Sequence, residues 1–126
     1  MDFREIDTGP DNVVRGYGPG EVRINDETHA GPVVVFRQAV WTEQLPVELA
    51  DLEAAHLAPL AEEGLEVVLI GTGARARFPD PAVTAPLYEQ GIGVEAMDTG
   101  AACRTFNLLV SEQRAVAALL LPIEAD

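Results

Sequence analysis

The chain has 126 residues, 48% of them hydrophobic, with 21 acids against 8 bases and a formal charge of -13. Every base is an arginine, which excludes lysine Schiff bases, lysine nucleophiles and the P-loop cation. So acidic a surface, without a visible basic patch, also repels phosphate backbones and anionic lipid headgroups, so no nucleic-acid partner is expected.

Length and apolar content suit one folded domain spanning 1–126. Residues 1–12 are polar, contain Gly9 and Pro10, and read as a loose lead-in. Their opening, Met1 to Asp7, is acidic and only intermittently apolar, unlike a secretory signal or an Arg-rich transit peptide. A single cysteine, Cys103, has no intramolecular disulfide partner, and together these features predict a cytoplasmic location. The longest nearly apolar run, Ala115 to Ile123, is about half the roughly 20 residues a membrane span requires, so no membrane insertion is expected.

Val13 to Gly18 and Glu21 to Ile24 read as short strands joined by a Pro19-Gly20 turn. After a turn at Asn25 to Glu27, His29 to Phe36 reads as a third strand centred on Val33 to Val35, which makes the N-terminal third a β-meander. Trp41 falls in a connecting segment. From Glu48 to Glu62 an imperfect apolar stripe predicts helix, broken into two pieces by Pro59, whose missing N–H cannot bond back one turn. Gly64 closes it. Glu66 to Ile70 is a continuous apolar run, the pattern of a strand covered on both faces, and it ends in Gly71-Thr72-Gly73. Asp80 caps a helix that begins at Pro81, runs to Gln90 and stops at Gly91. Ile92 to Met97 is a strand, Asp98 caps a helix from Thr99 to Val110, and Arg114 to Leu121 is a last buried strand. Strand, helix, strand, helix, strand after a meander predicts an α/β domain with a mixed central sheet, helices packed on it, and the early β-layer against another part.

Three stretches, taken together, resemble a known family. They are Gly16-Tyr17-Gly18 with the Gly20 turn, the strand ending Gly71-Thr72-Gly73, and the run Met97 to Leu109 with Glu112 and Arg114 beyond it. The chain is similar over nearly its whole length to the domain family that contains the mitochondrial complex I assembly factor three and the adipogenesis-associated domain protein, an Mth-type α/β domain. The resemblance implies a three-layer fold with a mixed sheet, no established enzymatic activity for most members, and a role in complex assembly through partner proteins.

The residues themselves keep two functional classes open. In the first, the domain is a non-enzymatic assembly adaptor, with Trp41 as a contact anchor, because tryptophan is enriched among interface hot spots. In the second, an anionic small molecule is bound or transformed in a crevice lined by Gly71, Thr72, Gly73, Asp98, Thr99, Arg104 and Asn107. Glycines at a strand end let N–H groups approach an anion, and the Asp98 helix points its positive end at the strand tips if the two preceding strands are parallel neighbours. Plainer readings exist for each: a tight turn at Gly71 to Gly73 and a helix cap at Asp98. Cys103 shares a helical face with Phe106 and Val110, the pattern of a core residue, and the only imidazoles that could activate it, His29 and His56, are distant in sequence. Ser111, the sole serine, is not on a nucleophile elbow, and two histidines with one cysteine lack metal-site spacing. No catalytic set, cofactor or metal site is therefore expected. Glu112 and Arg114 read as a structural ion pair at the turn into the last strand.

Overall fold

The computed structural model describes residues 10–124. Of the lead-in expected over 1–12, residues 1–9 lie outside the described residues, while Asp11 and Asn12 are anchored. The Asn12 backbone N–H donates to the Arg37 carbonyl at 2.6 Å, its side-chain amide donates to the Phe36 carbonyl at 2.8 Å, and Asp11 pairs with Arg37 at 3.1 Å.

Three strands, β1 (Val14–Gly18), β2 (Glu21–Ile24) and β3 (Glu27–Ala30), form an antiparallel meander in the order β1-β2-β3. The third strand read from the sequence is in fact two. At Gly31 the backbone takes φ +82°, a conformation costly for any other residue, and Pro32 offers no donor. The chain leaves the meander there, and β4 (Val33–Phe36) joins a second sheet. Trp41 likewise belongs to a strand, the two-residue β5 (Val40–Trp41), paired antiparallel with β4.

Between β5 and the next strand lie a 3-10 turn at Leu49–Asp51, the single-turn helix α1 (Ala54–Leu57) and a 3-10 segment at Ala58–Glu62. This is one piece more than Pro59 alone predicts. The extra start comes from a capping box in which the Glu53 N–H donates to His56 Nδ1 at 2.9 Å. The chain continues through β6 (Val67–Gly71), α2 (Pro81–Tyr88), β7 (Gly93–Met97), α3 (Thr99–Ser111) and β8 (Val116–Leu120). Asp80 Oδ1 accepts from the Ala82 N–H at 2.9 Å to start α2, and Pro86, which lacks the donor for the Ala82 carbonyl, keeps that helix short.

The main sheet runs β5-β4-β8-β6-β7, with β8, β6 and β7 parallel and β4 antiparallel to β8. It is the mixed sheet the sequence predicts. Every residue of β4, β6 and β8 is buried, as continuous apolar runs require when both faces are covered. On one face Val33, Val35, Leu69 and Leu120 pack with Cys103, Phe106 and Val110 of α3 and with Val14, Val22 and Ile24 of the meander. On the other, Val34, Val68, Ile70 and Leu119 meet Leu57, Leu60 and Leu87. Phe106 is fully enclosed, a burial that contributes about 2 to 3 kcal/mol.

Candidate functional site

The crevice expected at the strand tips has the right topology. β6 and β7 are adjacent and parallel, so Gly71 to Gly73 and Asp98 to Thr99 lie side by side beyond their carboxyl ends. The helices that follow these strands pack on opposite faces of the sheet, which is the arrangement that opens ligand crevices in α/β folds. Here, however, the polar groups are spent on one another. Gly73 N–H donates to Thr99 Oγ1 at 2.8 Å, and that hydroxyl donates in turn to the Leu121 carbonyl at 2.7 Å. Thr99 N–H donates to the Gly73 carbonyl at 2.9 Å, and Thr72 N–H to the Met97 carbonyl at 2.8 Å. Thr72 Oγ1 donates to the Arg75 carbonyl at 2.6 Å and accepts from the Arg77 N–H at 3.1 Å. Asp98 Oδ1 takes the Ala101 N–H at 2.8 Å, so the carboxylate is engaged as a helix cap. Gly71 is required by close approach: a Cβ there would stand 2.9 Å from Thr99 Cα. An anion seated at this loop would have to break bonds that hold α3 against the sheet.

Arg104 and Asn107 turn away from the strand tips toward the meander. Asn107 accepts from the Val14 N–H and donates to the Val14 carbonyl, both at 2.9 Å, completing the outer edge of β1 as a neighbouring strand would. Arg104 donates to the Tyr17 hydroxyl, whose ring lies over Gly100. The seven residues named for the crevice thus divide into a strand-tip junction of five and a meander clamp of two.

Trp41 presents an open site. A cleft of about 450 Å³ is lined by Phe36, Trp41, Leu65 and Val116, with Arg37 and Glu63 among its polar residues. The Phe36 and Trp41 rings meet with centroids 4.5 Å apart at 59°, a tilted pair that fixes the indole. Trp41 also lines a second hollow, of about 360 Å³, with Val40, Thr42 and Glu43. A rigid aromatic floor beside polar groups suits a partner's apolar side chain.

The sequence does not point to another pair, Phe78 and Tyr88. They are 88% and 58% exposed and line a groove of about 510 Å³ with Pro79, Thr84, Val94 and Ala96. The only signal is the unpatterned aromatic in Phe78-Pro79-Asp80-Pro81, a segment without periodicity.

Cys103 is enclosed, and burial pushes its thiol up to about 11, against the lowering effect of Arg104. His29 lies on β3 and His56 is occupied with its own helix cap, so the core role read from the sequence describes Cys103. Arg114 pairs chiefly with Glu66 at 3.2 Å, and Glu112 stands farther off at 3.9 Å. The Ala115 N–H, then Arg114, hold the Glu66 carboxyl below its ordinary range. Among the described residues no helix is long and apolar enough to cross a membrane.

A family profile described as "Protein of unknown function (DUF498/DUF598)" matches residues 14–121. The chain is 38% identical over 112 residues to the NADH dehydrogenase [ubiquinone] 1 alpha subcomplex assembly factor 3 of Danio rerio, covering 87% of this chain and 64% of that protein. It thus spans somewhat less than two thirds of that curated relative. A crystal structure from Bordetella parapertussis is 36% identical with a TM-score of 0.83, covering 90% of this chain and 98% of the other. The solution structure of a Bordetella pertussis protein described as a Mth938-like domain is 32% identical with a TM-score of 0.79, covering 91% and 88%. The chain therefore belongs to the DUF498/DUF598 family, whose solved relatives include Mth938-like domains.

Proposed function

We propose that this domain is a non-catalytic adaptor that helps assemble a larger protein complex, docking a partner on the Trp41 cleft. The observation that carries this reading is the contrast between two places. At the strand tips the polar groups of Gly73, Thr72 and Thr99 are consumed internally, whereas the Phe36–Trp41 floor stands open beside unburied polar groups. The relative in Danio rerio, named for the assembly of an NADH dehydrogenase subcomplex, points to the same class of work, with complex I subunits or their assembly intermediates as partners.

The test is affinity capture from the native host with wild-type protein and with Trp41→Ala, each checked for folding by circular dichroism. Truncating an aromatic anchor at an interface centre costs about 2 kcal/mol or more, so capture of specific partners falls about thirtyfold. The same variant expressed in a strain lacking the gene fails to restore the assembled complex on native gels. Unchanged capture by Trp41→Ala, together with stabilisation by a small anion that is lost in Arg104→Ala, would overturn the proposal.

A further inference from the structure

Among the described residues β7 is the outermost strand of the main sheet and pairs with β6 alone. Gly93 N–H and the Met97 carbonyl both bond inward, to the β6 side. Strand residues alternate in the side to which they turn their backbone groups, so Glu95 also faces inward, while Val94 and Ala96 present N–H and C=O to the open edge. Such an edge is a template for another strand. Along it runs the groove floored by Val94 and Ala96 and walled by Phe78, Pro79 and Tyr88. Two large aromatics this exposed, beside backbone groups that no described strand pairs, form an apolar and hydrogen-bonding surface.

Charge decides what fits there. Of the residues that line the groove, Glu95 is the one that carries a charge, with Arg77 beyond its Phe78 end. A second copy paired antiparallel about Glu95 would set Glu95 directly against its own equivalent, where like charges repel, and would bring together two chains of charge -13. A foreign strand escapes that penalty if the residue opposite Glu95 is cationic. Its neighbours on either side, opposite Val94 and Ala96, share their face and enter the groove.

We infer that the β7 edge binds an extended partner segment of pattern apolar–basic–apolar, added antiparallel to β7, with its two apolar side chains between Phe78 and Tyr88 and its cation against Glu95. This surface lies at the edge of the sheet opposite Trp41 and stands whether or not Trp41 docks a partner.

The test uses nitrogen-15 amide spectra of the full chain titrated with a capped peptide, Ser-Thr-Val-Arg-Val-Thr-Ser. Saturable shifts centred on the Val94 and Ala96 amides are expected, with the exchange of those amides slowed. Glu95→Gln weakens binding about threefold, and Glu95→Arg weakens it further while conferring binding of the peptide with Glu in place of Arg. Phe78→Ser weakens it without unfolding the chain, since that side chain is already in solvent. A peptide N-methylated at the two valines fails to bind, and Trp41→Ala binds as wild type. Absence of shifts at Val94 and Ala96 at millimolar peptide, equal binding of the N-methylated or a sequence-scrambled peptide, or a wild-type dimer through β7 in sedimentation would overturn the inference.

Discussion

Cys103 shows how one buried side chain sets a pH window. Its thiol is 1% exposed and titrates near 11 in place of the ordinary 9.0. A folded-state value raised above the unfolded one means the contribution is whole below pH 9 and lost as pH climbs toward 11, because the unfolded chain releases the proton first. Wild type should therefore lose about 2 kcal/mol relative to Cys103→Ala between those limits, read from urea midpoints at matched pH. At pH 8 a thiol reagent should modify native protein only at the rate of unfolding. This outcome was legible in the helical spacing of Cys103, Phe106 and Val110. For Arg104 and Asn107 the same helix was misleading: both were placed toward the strand tips, but their partners Tyr17 and Val14 lie 87 and 93 residues away along the chain. No local pattern carries a contact at that separation.

Among elements, the junction at Thr99 ties the ends of three parallel strands together. One hydroxyl accepts from Gly73 after β6, donates to Leu121 after β8, and belongs to the first residue of α3, two positions past the end of β7. Thr99→Val keeps the shape but strands the buried Gly73 N–H and Leu121 carbonyl, which should cost about 2 to 3 kcal/mol in guanidinium denaturation. Thr99→Ser, which keeps the hydroxyl, should cost about 1 kcal/mol at most. The sequence revealed β6 and β8 through their unbroken apolar runs and revealed α3 through its Asp98 cap. It fused β3 with β4 because alternation before Gly31 passes directly into an apolar run after Pro32. It missed β5 because two residues cannot display a period. The groove beside β7 escaped notice for another reason: which strand is outermost depends on pairing order, and Phe78 sits among prolines where no repeat marks it.

At the scale of the molecule, the two proposed contacts occupy opposite edges of the five-stranded sheet, about 19 Å apart across four strand spacings. Sites so separated and without shared neighbours should act independently, so the losses from Trp41→Ala and Glu95→Gln should add within about 0.5 kcal/mol when both partner segments are titrated by calorimetry. Added salt should weaken the Glu95 contact and spare the apolar one. The position of β8 has a further consequence, for biosynthesis. Among the described residues it is the last strand in chain order, yet it occupies the middle of the sheet, between β4 and β6. While the ribosome still holds residues 116–120, the nascent chain carries Val33–Phe36 and Val67–Gly71 with their shared neighbour missing, two β-prone apolar segments open to wrong partners. Closure of the five-stranded sheet must wait until residues 116–120 have emerged, and until then these two runs are the segments of this chain most open to aggregation.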